Sequence, residues 1–320
     1  MSAGRVLVTG GAGFIGSNLA RRLTARGTPV RVVDNFSVGQ RQYLASVDAE
    51  VVEGDVTDPS FLKRVLPGAS RVVHLAAATS VLDSINDPVS GLAVNVAGLV
   101  SLLQAATAEG VESFVFASSN AAVGEAPTPV SEEQVARPSS PYGASKLAGE
   151  AYCSAFARSY GLPTTALRFA NVYGSNSLHK QSAVHRFIRI AIAGGQLTIN
   201  GDGRQTRDFI HVDDICVAIE ACLDRPVVGG LFQVGTGSET SILELVELLA
   251  RIHGGEIKVM HGPANPGEVQ RNFSDVAKAD RDLGFAARVE LADGLARTYA
   301  WYSEQLSTER GQGVLAREGD

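Results

Sequence analysis

Apolar and polar positions follow two alternating patterns in the first half of the chain. Short runs rich in Val, Leu and Phe are separated by longer segments in which apolar residues recur every three or four positions. The short runs predict buried strands, and the longer segments predict amphipathic helices. Strands are predicted at residues 5–9, 30–33, 51–56, 71–75, 113–117 and 164–167. Because strands that alternate with helices pair in parallel, the pattern predicts an α/β fold with a doubly wound parallel sheet.

The second half of the chain is less regular. Its apolar runs predict a short strand at 197–199 and a further strand at 231–234 that returns to the sheet. Helices are predicted along the chain at 87–109, from Pro141, from Ala183, at 242–252 and at 291–301.

This change in pattern predicts two domains. We expect a first domain over 1–172, joined by returning segments near 208–235, and a smaller α/β domain over 173–302. Residues 303–320 have almost no apolar periodicity, which predicts a disordered tail.

A glycine-rich turn follows the first predicted strand. Gly10, Gly13 and Gly16 give the spacing G-x-x-G-x-x-G, and an amphipathic pattern starts directly after it. In such a unit the glycines permit the turn, admit a pyrophosphate and let the helix pack on the strand. Asp34 ends the second strand and 35–39 form a loop beside it; an acid here accepts ribose hydroxyls and repels a 2′-phosphate. The unit predicts NAD rather than NADP, against the alternative of a structural turn with an ordinary surface aspartate.

Other strand ends carry polar or small residues. Asp55 is placed to accept the adenine amino group while Val56 packs on the ring, although Asp55 could instead cap a helix. The small residues at 76–79 leave room for a ligand at the carboxyl end of the fourth strand. Asn95 lies between apolar neighbours, and the pattern leaves open whether it forms a structural bridge or a cofactor contact.

A helix that starts at Pro141 carries a candidate acid–base pair. Tyr142 and Lys146 are four residues apart, so they share one helix face, and Ser119 ends the fifth strand. The ammonium and the helix N-terminus are expected to lower the pKa of Tyr142 and make it a general base near neutral pH. The alternative is a surface tyrosine beside a solvated lysine, which the glycine turn upstream disfavours.

Composition narrows the classes of function. The chain has 320 residues with 45% hydrophobic positions, and its net charge of -6 shows no basic stripe for a nucleic-acid partner. The pattern shows no 18-residue apolar run, so we expect no membrane span, and we also expect no signal peptide. Its three cysteines, Cys153, Cys216 and Cys222, fit no zinc or redox spacing, so we expect no metal site and a cytoplasmic location.

These motifs together resemble the extended short-chain dehydrogenase/reductases, and among them the NAD-dependent sugar epimerase/dehydratase family, closest to UDP-glucose and UDP-N-acetylglucosamine 4-epimerases. The resemblance runs from Arg5 to about Trp301. It is carried by 9–16, Asp34, 55–56, 75–77, 118–119, Tyr142 with Lys146, 168–174, 201–203 and 207–209. It implies a Rossmann sheet with a smaller substrate domain that binds a nucleotide sugar, UDP being favoured, and a homodimer formed through the helices near 87–109 and 142–160.

The resemblance also implies a set of site residues. The catalytic residues are Ser119, Tyr142 and Lys146. The cofactor-binding residues are Gly10, Gly13, Phe14, Ile15, Asp34, Asn35, Ser37, Gly39, Asp55, Val56, Leu75, Ala76, Ala77, Thr79, Asn95, Tyr142, Lys146 and Phe169. The substrate-binding residues are Thr79, Ser119, Tyr142, Asn171, Ala183, Val184, Thr198, Asn200, Arg207, Glu268 and Asn272.

Within the substrate set, the resemblance assigns Ala183, Val184, Thr198 and Asn200 to the nucleotide base and Glu268 to its ribose. It assigns Asn171 and Arg207 to the pyrophosphate, a ligand that suits the forked guanidinium. The alternative for Arg207 is an internal pair with Asp208 or Asp213.

Two positions separate the reactions within this family. Dehydratases typically carry acids just after the catalytic Ser or Thr, where this chain has Asn120 and Ala121. Neither side chain can protonate a leaving hydroxyl, so the resemblance implies a 4-epimerase that acts through a transient 4-keto sugar. A dehydratase or a 4-keto reductase of the same family stays as an alternative, and a non-catalytic NAD-binding regulatory protein is the alternative of a different class.

Three positions depart from the family pattern. Val123 stands where a tyrosine is usual, and Asn265 replaces an arginine that grips the pyrophosphate, for which Arg271 could substitute. Asn272 stands where related epimerases have a large aromatic residue that limits the pocket. We expect an N-acetylated sugar to fit.

Overall fold

The computed structural model describes residues 4–264 and 269–315, with side chains as far as residue 308. Its strands are β1 (Arg5–Thr9), β2 (Val30–Asp34), β3 (Glu50–Glu53), β4 (Ala69–His74), β5 (Ser113–Ser119), β6 (Thr164–Phe169), β7 (Asn171–Tyr173), β8 (Gln196–Asn200), β9 (Thr206–Arg207), β10 (Phe209–His211), β11 (Gly230–Val234), β12 (Thr240–Ser241), β13 (Lys258–Gly262) and β14 (Arg271–Asn272).

Within the described residues, seven parallel strands form the central sheet, in the order β11-β6-β5-β4-β1-β2-β3. The reversal of strand order at β1 and β4 is the topology of a doubly wound fold, which places ligands at the carboxyl ends of the strands. The predicted fold class and the returning strand at 231–234 are therefore confirmed.

Helices cover both faces of this sheet and also build the second half of the chain. They are α1 (Phe14–Ala25), α2 (Pro59–Val65), α3 (Val81–Asn86), α4 (Pro88–Leu92), α5 (Leu99–Ala108), α6 (Pro141–Tyr160), α7 (Ala183–Ile192), α8 (Val212–Asp224), α9 (Ile242–His253), α10 (Ala277–Leu283) and α11 (Leu291–Leu315), with a π-helical segment at Ala93–Gly98 between α4 and α5.

The alternation along β1 explains why the sheet is buried on both sides. Val6 and Val8 join the core cluster shared with α1 and α8, whereas Leu7 joins the cluster shared with α2 and α5. Leu99 and Leu103 of α5 are fully buried in the second cluster. Because each such side chain contributes about 1.5–3 kcal/mol on burial, these two apolar faces hold the helices against the sheet.

The second half of the chain builds a separate apolar cluster. Tyr173, Phe187 and Leu245 belong to it, and they come from β7, α7 and α9. The strands around it are short: β9, β12 and β14 have two residues each and form one small sheet.

The predicted disordered tail is wrong over the part that the structure describes. Helix α11 does not end near Trp301 but continues to Leu315. Tyr302 is fully buried and Leu306 packs against the cluster of the second half. These two contacts hold the helix beyond the last apolar repeat that the sequence pattern shows.

One helical stretch corrects an expectation about apolar runs. The segment Pro88–Ala108 has 21 residues and a mean hydropathy of 1.7, which is long and apolar enough to cross a membrane by composition alone. Leu99 and Leu102 face the protein core, while Val89 and Leu92 are exposed. The core helices of globular proteins pass the same test, so this property is weak evidence for a membrane span.

Candidate active site

The glycine turn has the geometry that its sequence predicts. Gly10 adopts a φ of 66°, and a Cβ atom there would lie 2.6 Å from the backbone nitrogen of Ala76. A Cβ atom on Gly16 would lie 2.3 Å from the carbonyl oxygen of Gly10, so only glycine lets α1 approach β1 this closely. Helix α1 has Gly13 as its N-cap and no side-chain cap. Its first backbone N–H groups are therefore open to an anionic ligand.

Asp34 lies at the carboxyl end of β2 and organises the neighbouring turns. Its side chain is 7% exposed, and its two carboxylate oxygens accept hydrogen bonds of 2.9 Å from the backbone N–H groups of Ala12 and Phe36. A Cβ atom on Gly39 would lie 2.8 Å from this carboxylate. The acid is thus held between the glycine turn and the following loop, where the motif predicts a ribose.

A second acid lies beside the loop that follows Asp34. Asp55 accepts a 2.8 Å hydrogen bond from Asn35 Nδ2, and bonds from Thr57 lower its pKa. Asn35 in turn accepts from the backbone and hydroxyl of Ser37. Helix α2 is capped by Asp58, so Asp55 is not its cap. Asp55 stays available for the predicted contact with adenine.

The remaining predicted cofactor residues follow the same sheet edge. Val56 and Phe169 are buried, and the segment from Leu75 to Thr79 follows β4 without regular secondary structure. Leu75 N donates to the carbonyl oxygen of Thr9, which holds the segment beside the glycine turn.

Asn95 acts as a structural bridge. It lies in the π-helical segment with 3% exposure, and its amide bonds both the N–H and the carbonyl of Ala78. Its Nδ2 also donates to Ser145 Oγ at 2.9 Å. Of the two alternatives, these contacts match the bridge between the β4 loop and α6. The contact of Asn95 with the cofactor stays a prediction.

The candidate catalytic residues meet at the ends of β5 and α6. Ser140 caps α6 by accepting from Gly143 N, which fixes the turn that carries Tyr142. Lys146 is 4% exposed, its Nζ donates to the carbonyl oxygen of Ala117 at 2.8 Å, and it lies 5.9 Å from the centroid of the Tyr142 ring. Tyr142 hydrogen-bonds Ser119. A phenol, a hydroxyl and an ammonium group therefore share one buried corner.

The expected lowering of the Tyr142 pKa is wrong for this structure. Burial raises the pKa of Tyr142, and the hydrogen bond to Ser119 opposes this only in part. Burial also lowers the pKa of Lys146 to about 8, assisted by the charge of Lys180. Sequence spacing predicted the pairing but not that both groups lose contact with water, which disfavours their charged forms.

A buried ion pair supports this corner, and sequence reasoning missed it. Glu150, one turn after Lys146 on α6, accepts bonds of 2.8 and 2.7 Å from the guanidinium of Arg168 on β6. Ser118, beside Ser119 on β5, donates to the same carboxylate at 2.5 Å. All three side chains are at most 7% exposed. The pair ties the helix that carries Tyr142 and Lys146 to two strands of the sheet.

The predicted substrate residues gather only in part. A cavity of about 210 Å³ is lined by Asn171, Val172, Ser182, Ala183, Val184, Arg207, Phe209 and Ile242. Nη1 of Arg207 donates to the carbonyl oxygens of Thr206 and Val269 at 2.8 Å each. These bonds orient the guanidinium on β9. Of the two acids named as alternative partners, Asp208 accepts from Thr236 N and Asp213 forms an ion pair with Arg297.

Other predicted substrate residues lie elsewhere. Thr198 and Asn200 are on β8, outside the lining of this cavity as far as the described residues show. Asn272, on β14, accepts a 3.3 Å bond from Asn120. Glu268 and Asn265 lie outside the described residues. Arg271, the suggested substitute for the family's second arginine, is engaged in an ion pair with Glu239.

Comparisons with known proteins agree on one family. The sequence model of the NAD dependent epimerase/dehydratase family matches residues 6–235. A UDP-glucose 4-epimerase from Mycolicibacterium smegmatis is 37% identical over 307 residues, which cover 93% of this chain and 98% of the relative. A dTDP-glucose 4,6-dehydratase from Streptomyces griseus is also 37% identical, over 313 residues that cover 94% of this chain and 95% of the relative.

Solved structures give the same result. A UDP-glucose 4-epimerase from Thermotoga maritima with UDP-glucose superimposes with a TM-score of 0.90 at 34% identity, covering 94% of this chain and 99% of that one. A UDP-N-acetylglucosamine 4-epimerase from Methanobrevibacter ruminantium in complex with UDP-N-acetylmuramic acid has a TM-score of 0.91 at 30% identity, covering 95% and 100%.

Proposed function

Because the chain belongs to the NAD dependent epimerase/dehydratase family, we propose that it is a nucleotide-sugar 4-epimerase that carries NAD. The observation that carries this choice is the pair of residues after Ser119. Asn120 is buried and its amide donates to Ser274 and Asn272, and Ala121 has no polar group. A dehydratase needs an acid here to protonate the leaving hydroxyl, and neither residue provides one.

The residues at the glycine turn fit NAD. The uncapped N-terminus of α1 suits a pyrophosphate, and the close approach of Gly10 to Ala76 leaves no side chain in the way. The carboxylate of Asp34 suits a ribose diol and repels a 2′-phosphate. When bound, NAD supplies a hydride acceptor that can return the hydride later.

The three residues of the catalytic corner have different roles in the proton transfer. Ionised Tyr142 takes the proton of the sugar's C4 hydroxyl while the C4 hydride leaves, which gives a 4-keto sugar. Ser119 donates a hydrogen bond to the same oxygen, and the charge of Lys146 stabilises the phenolate. After the sugar turns, Tyr142 returns the proton to the C4 oxygen, while the hydride that bound NAD would have taken up would go back to the opposite face of C4. The cycle inverts one carbon with no net oxidation.

We propose UDP as the nucleotide, with the diphosphate bound by Arg207. Support comes from the Thermotoga structure with UDP-glucose and from the Methanobrevibacter structure with UDP-N-acetylmuramic acid. Asn272 is smaller than the aromatic residue of related epimerases, so the proposal includes N-acetylated sugars. Turnover of UDP-glucose with none of UDP-N-acetylglucosamine, even at high enzyme concentration, would contradict that extension.

A panel of nucleotide sugars tests the function. Purified protein is incubated without added NAD with UDP-glucose, UDP-N-acetylglucosamine and dTDP-glucose, and the products are identified by NMR. We expect 4-epimers from at least one UDP-sugar, formed far more slowly by a Tyr142→Phe variant.

The dehydratase alternative is separated in the same samples. Dehydration removes water and exchanges the C5 hydrogen with solvent, so in D₂O its product carries deuterium at C5. The 37% identity to a Streptomyces dehydratase makes this the second candidate. Products with unchanged mass and no deuterium at C5 support the epimerase, and a keto-deoxy product overturns it.

We further propose a homodimer and a cytoplasmic location. Leu82, Ile85, Val89 and Leu92 are more than half exposed on α3 and α4, and Tyr152 is exposed on the neighbouring α6. Either a second copy of the chain or a membrane would cover this apolar surface. Light scattering by the purified protein measures its mass and so distinguishes a dimer from a monomer. The three cysteines are free, which suits a reducing compartment.

A further inference from the structure

A group of basic side chains on the loop from β7 into α7 has no place in the reaction described above. We call His179, Lys180, His185 and Arg189 the basic cluster. Arg189 donates to the carbonyl oxygen of Leu178 at 2.7 Å and to Gln181 at 2.9 Å, so it holds the loop in shape.

The loop is fastened to the first turns of α1. Asn176 Nδ2 donates to Ser17 Oγ at 3.0 Å, and Asn18 Nδ2 donates to the carbonyl oxygen of Ser175 at 3.1 Å. The Phe14 ring meets His185 edge-on, with 5.7 Å between the ring centroids. The basic cluster therefore lies against the helix end whose open N–H groups suit a pyrophosphate.

Lys180 is a partly buried cation without a counter-charge. Among the residues that the structure describes, its ammonium has no hydrogen bond and no ion pair, and burial lowers its pKa. Its charge also lowers the pKa values of Lys146 and His185. Its charge therefore acts on the catalytic corner, and the loop that carries it is hydrogen-bonded to the first turns of α1.

The rest of the cluster offers no negative charge to balance Lys180. Burial and nearby cations lower the pKa of His185 to about 3 and that of His179 to about 4, so both rings are neutral at pH 7. His185 Nε2 and His179 Nδ1 are buried without a hydrogen-bond partner. A partly buried cation beside buried, unsatisfied polar atoms costs free energy unless an anion binds there.

We propose that Lys180 binds the pyrophosphate of NAD together with the N-terminus of α1. Both dinucleotide and nucleotide-sugar ligands carry a pyrophosphate, but the loop is hydrogen-bonded to Ser17 and Asn18 in the first turns of α1, the helix end that suits the pyrophosphate of NAD. Lys180 then holds NAD in place through a cycle that never releases it. The inference rests on NAD binding by the family and is independent of which sugar reacts.

The test measures NAD affinity in variants of the full-length protein. Lys180→Met keeps the length of the side chain and removes its charge, Lys180→Arg keeps the charge, and Lys258→Met on exposed β13 is the matched control. The readouts are NAD per protomer after gel filtration and the Kd for NAD of stripped protein by calorimetry. We expect Lys180→Met to raise the Kd about tenfold or more, with Lys180→Arg and Lys258→Met near wild type.

Binding of UDP to NAD-loaded protein separates the two pyrophosphate sources. Unchanged UDP affinity with weakened NAD affinity supports the proposal. Weakened UDP affinity with unchanged NAD affinity overturns it and assigns Lys180 to the substrate, and no change in either overturns any pyrophosphate role. Thermal unfolding without ligand checks the fold, and Lys180→Gln carries the same comparison if the Met variant does not fold. Because NAD content is measured without a sugar, failure of the epimerase assignment leaves this result intact.

Discussion

The catalytic corner and the substrate cavity differ in burial and in the length of the strands that support them. In the corner, Lys146, Glu150 and Arg168 are at most 7% exposed, and each is hydrogen-bonded to a neighbouring element of the sheet or of α6. Around the cavity, Arg207 stands on a strand of two residues and Asn171 on one of three. Long paired strands fix the corner, whereas short strands and loops form the cavity.

This difference separates what the two regions contribute. A preorganised, dry corner suits a proton transfer that is the same for every sugar, because its groups need no rearrangement during the reaction. A cavity on short elements tolerates changes of side chain without disturbing the sheet. We therefore expect mutations in the corner to affect kcat or stability, and mutations at the cavity to affect KM.

The largest effect is expected from the corner itself. Tyr142→Phe removes the proton acceptor, so kcat should fall about 10²–10⁴-fold while the protein still carries NAD. Turnover is followed by NMR, and NAD content is measured on the same preparation. Tyr152→Phe, on the exposed face of the same helix, is the matched control and should keep full activity. Substantial turnover by Tyr142→Phe would remove Tyr142 from its assigned role.

The ion pair beneath the corner is expected to matter for stability. Glu150→Gln keeps the shape but leaves the guanidinium of Arg168 buried without its counter-charge, which costs about 3–5 kcal/mol of unfolding free energy. Urea denaturation measures the loss. Glu247→Gln breaks the exposed pair with Arg251 and should leave the free energy of unfolding almost unchanged. Equal effects of the two variants would show that the corner is not specially rigid.

The contrast between the regular sheet and the irregular second half also explains which parts of the structure the sequence could predict. Apolar runs located the strands of the sheet because both faces of β1 and its neighbours are buried, and the glycine turn followed from local backbone needs. The buried ion pair of Glu150 and Arg168 could not be predicted in this way, because charged residues on a helix or strand ordinarily face solvent. Only the tertiary structure shows that these two side chains meet. The π-helical segment around Asn95 was missed for the same reason, because its contact partners Ala78 and Ser145 are distant in sequence.

In the second half, local pattern carried less information. Short strands such as β9 and β14 have too few residues for an alternation to be recognised. The end of α11 depends on Tyr302 and Leu306 meeting a cluster formed by other segments. Burial also decided the direction of the Tyr142 pKa shift, and spacing along a helix does not report burial.

Arg207 tests the cavity side of the comparison. Arg207→Ala removes a forked cation, so the Kd for UDP should rise roughly 10- to 100-fold, the loss expected for hydrogen bonds to a charged group. NAD content and thermal stability should stay near wild type. Arg204→Ala, whose side chain is 84% exposed three residues earlier, is the control and should not change UDP affinity. A fall in kcat at saturating substrate, with UDP affinity unchanged, would move Arg207 from the cavity to the corner.

The smallest expected effect is a change in the slope of log kcat against pH. It distinguishes the catalytic corner from the substrate cavity without a mutation. The reaction needs ionised Tyr142 and charged Lys146 at the same time, and burial holds the pKa of Tyr142 above its ordinary value. Below pH 8, kcat should therefore rise about tenfold per pH unit as the phenolate fraction grows. Above the Lys146 pKa of about 8, loss of the ammonium offsets that gain, so kcat should level off.

Other titratable groups that face Lys146 could also shift the pH at which the slope of kcat changes. They are Tyr142, Glu150 and Cys153 on its own helix, Lys180 on the loop before α7, and His74 on β4. His74 has a pKa lowered to about 3 and Cys153 one raised by burial, so neither titrates near pH 8. UDP affinity depends on the guanidinium of Arg207, which keeps its charge in this range, and should show no break. A break near pH 8 in UDP affinity, or none in kcat, would contradict the assignment of the two regions.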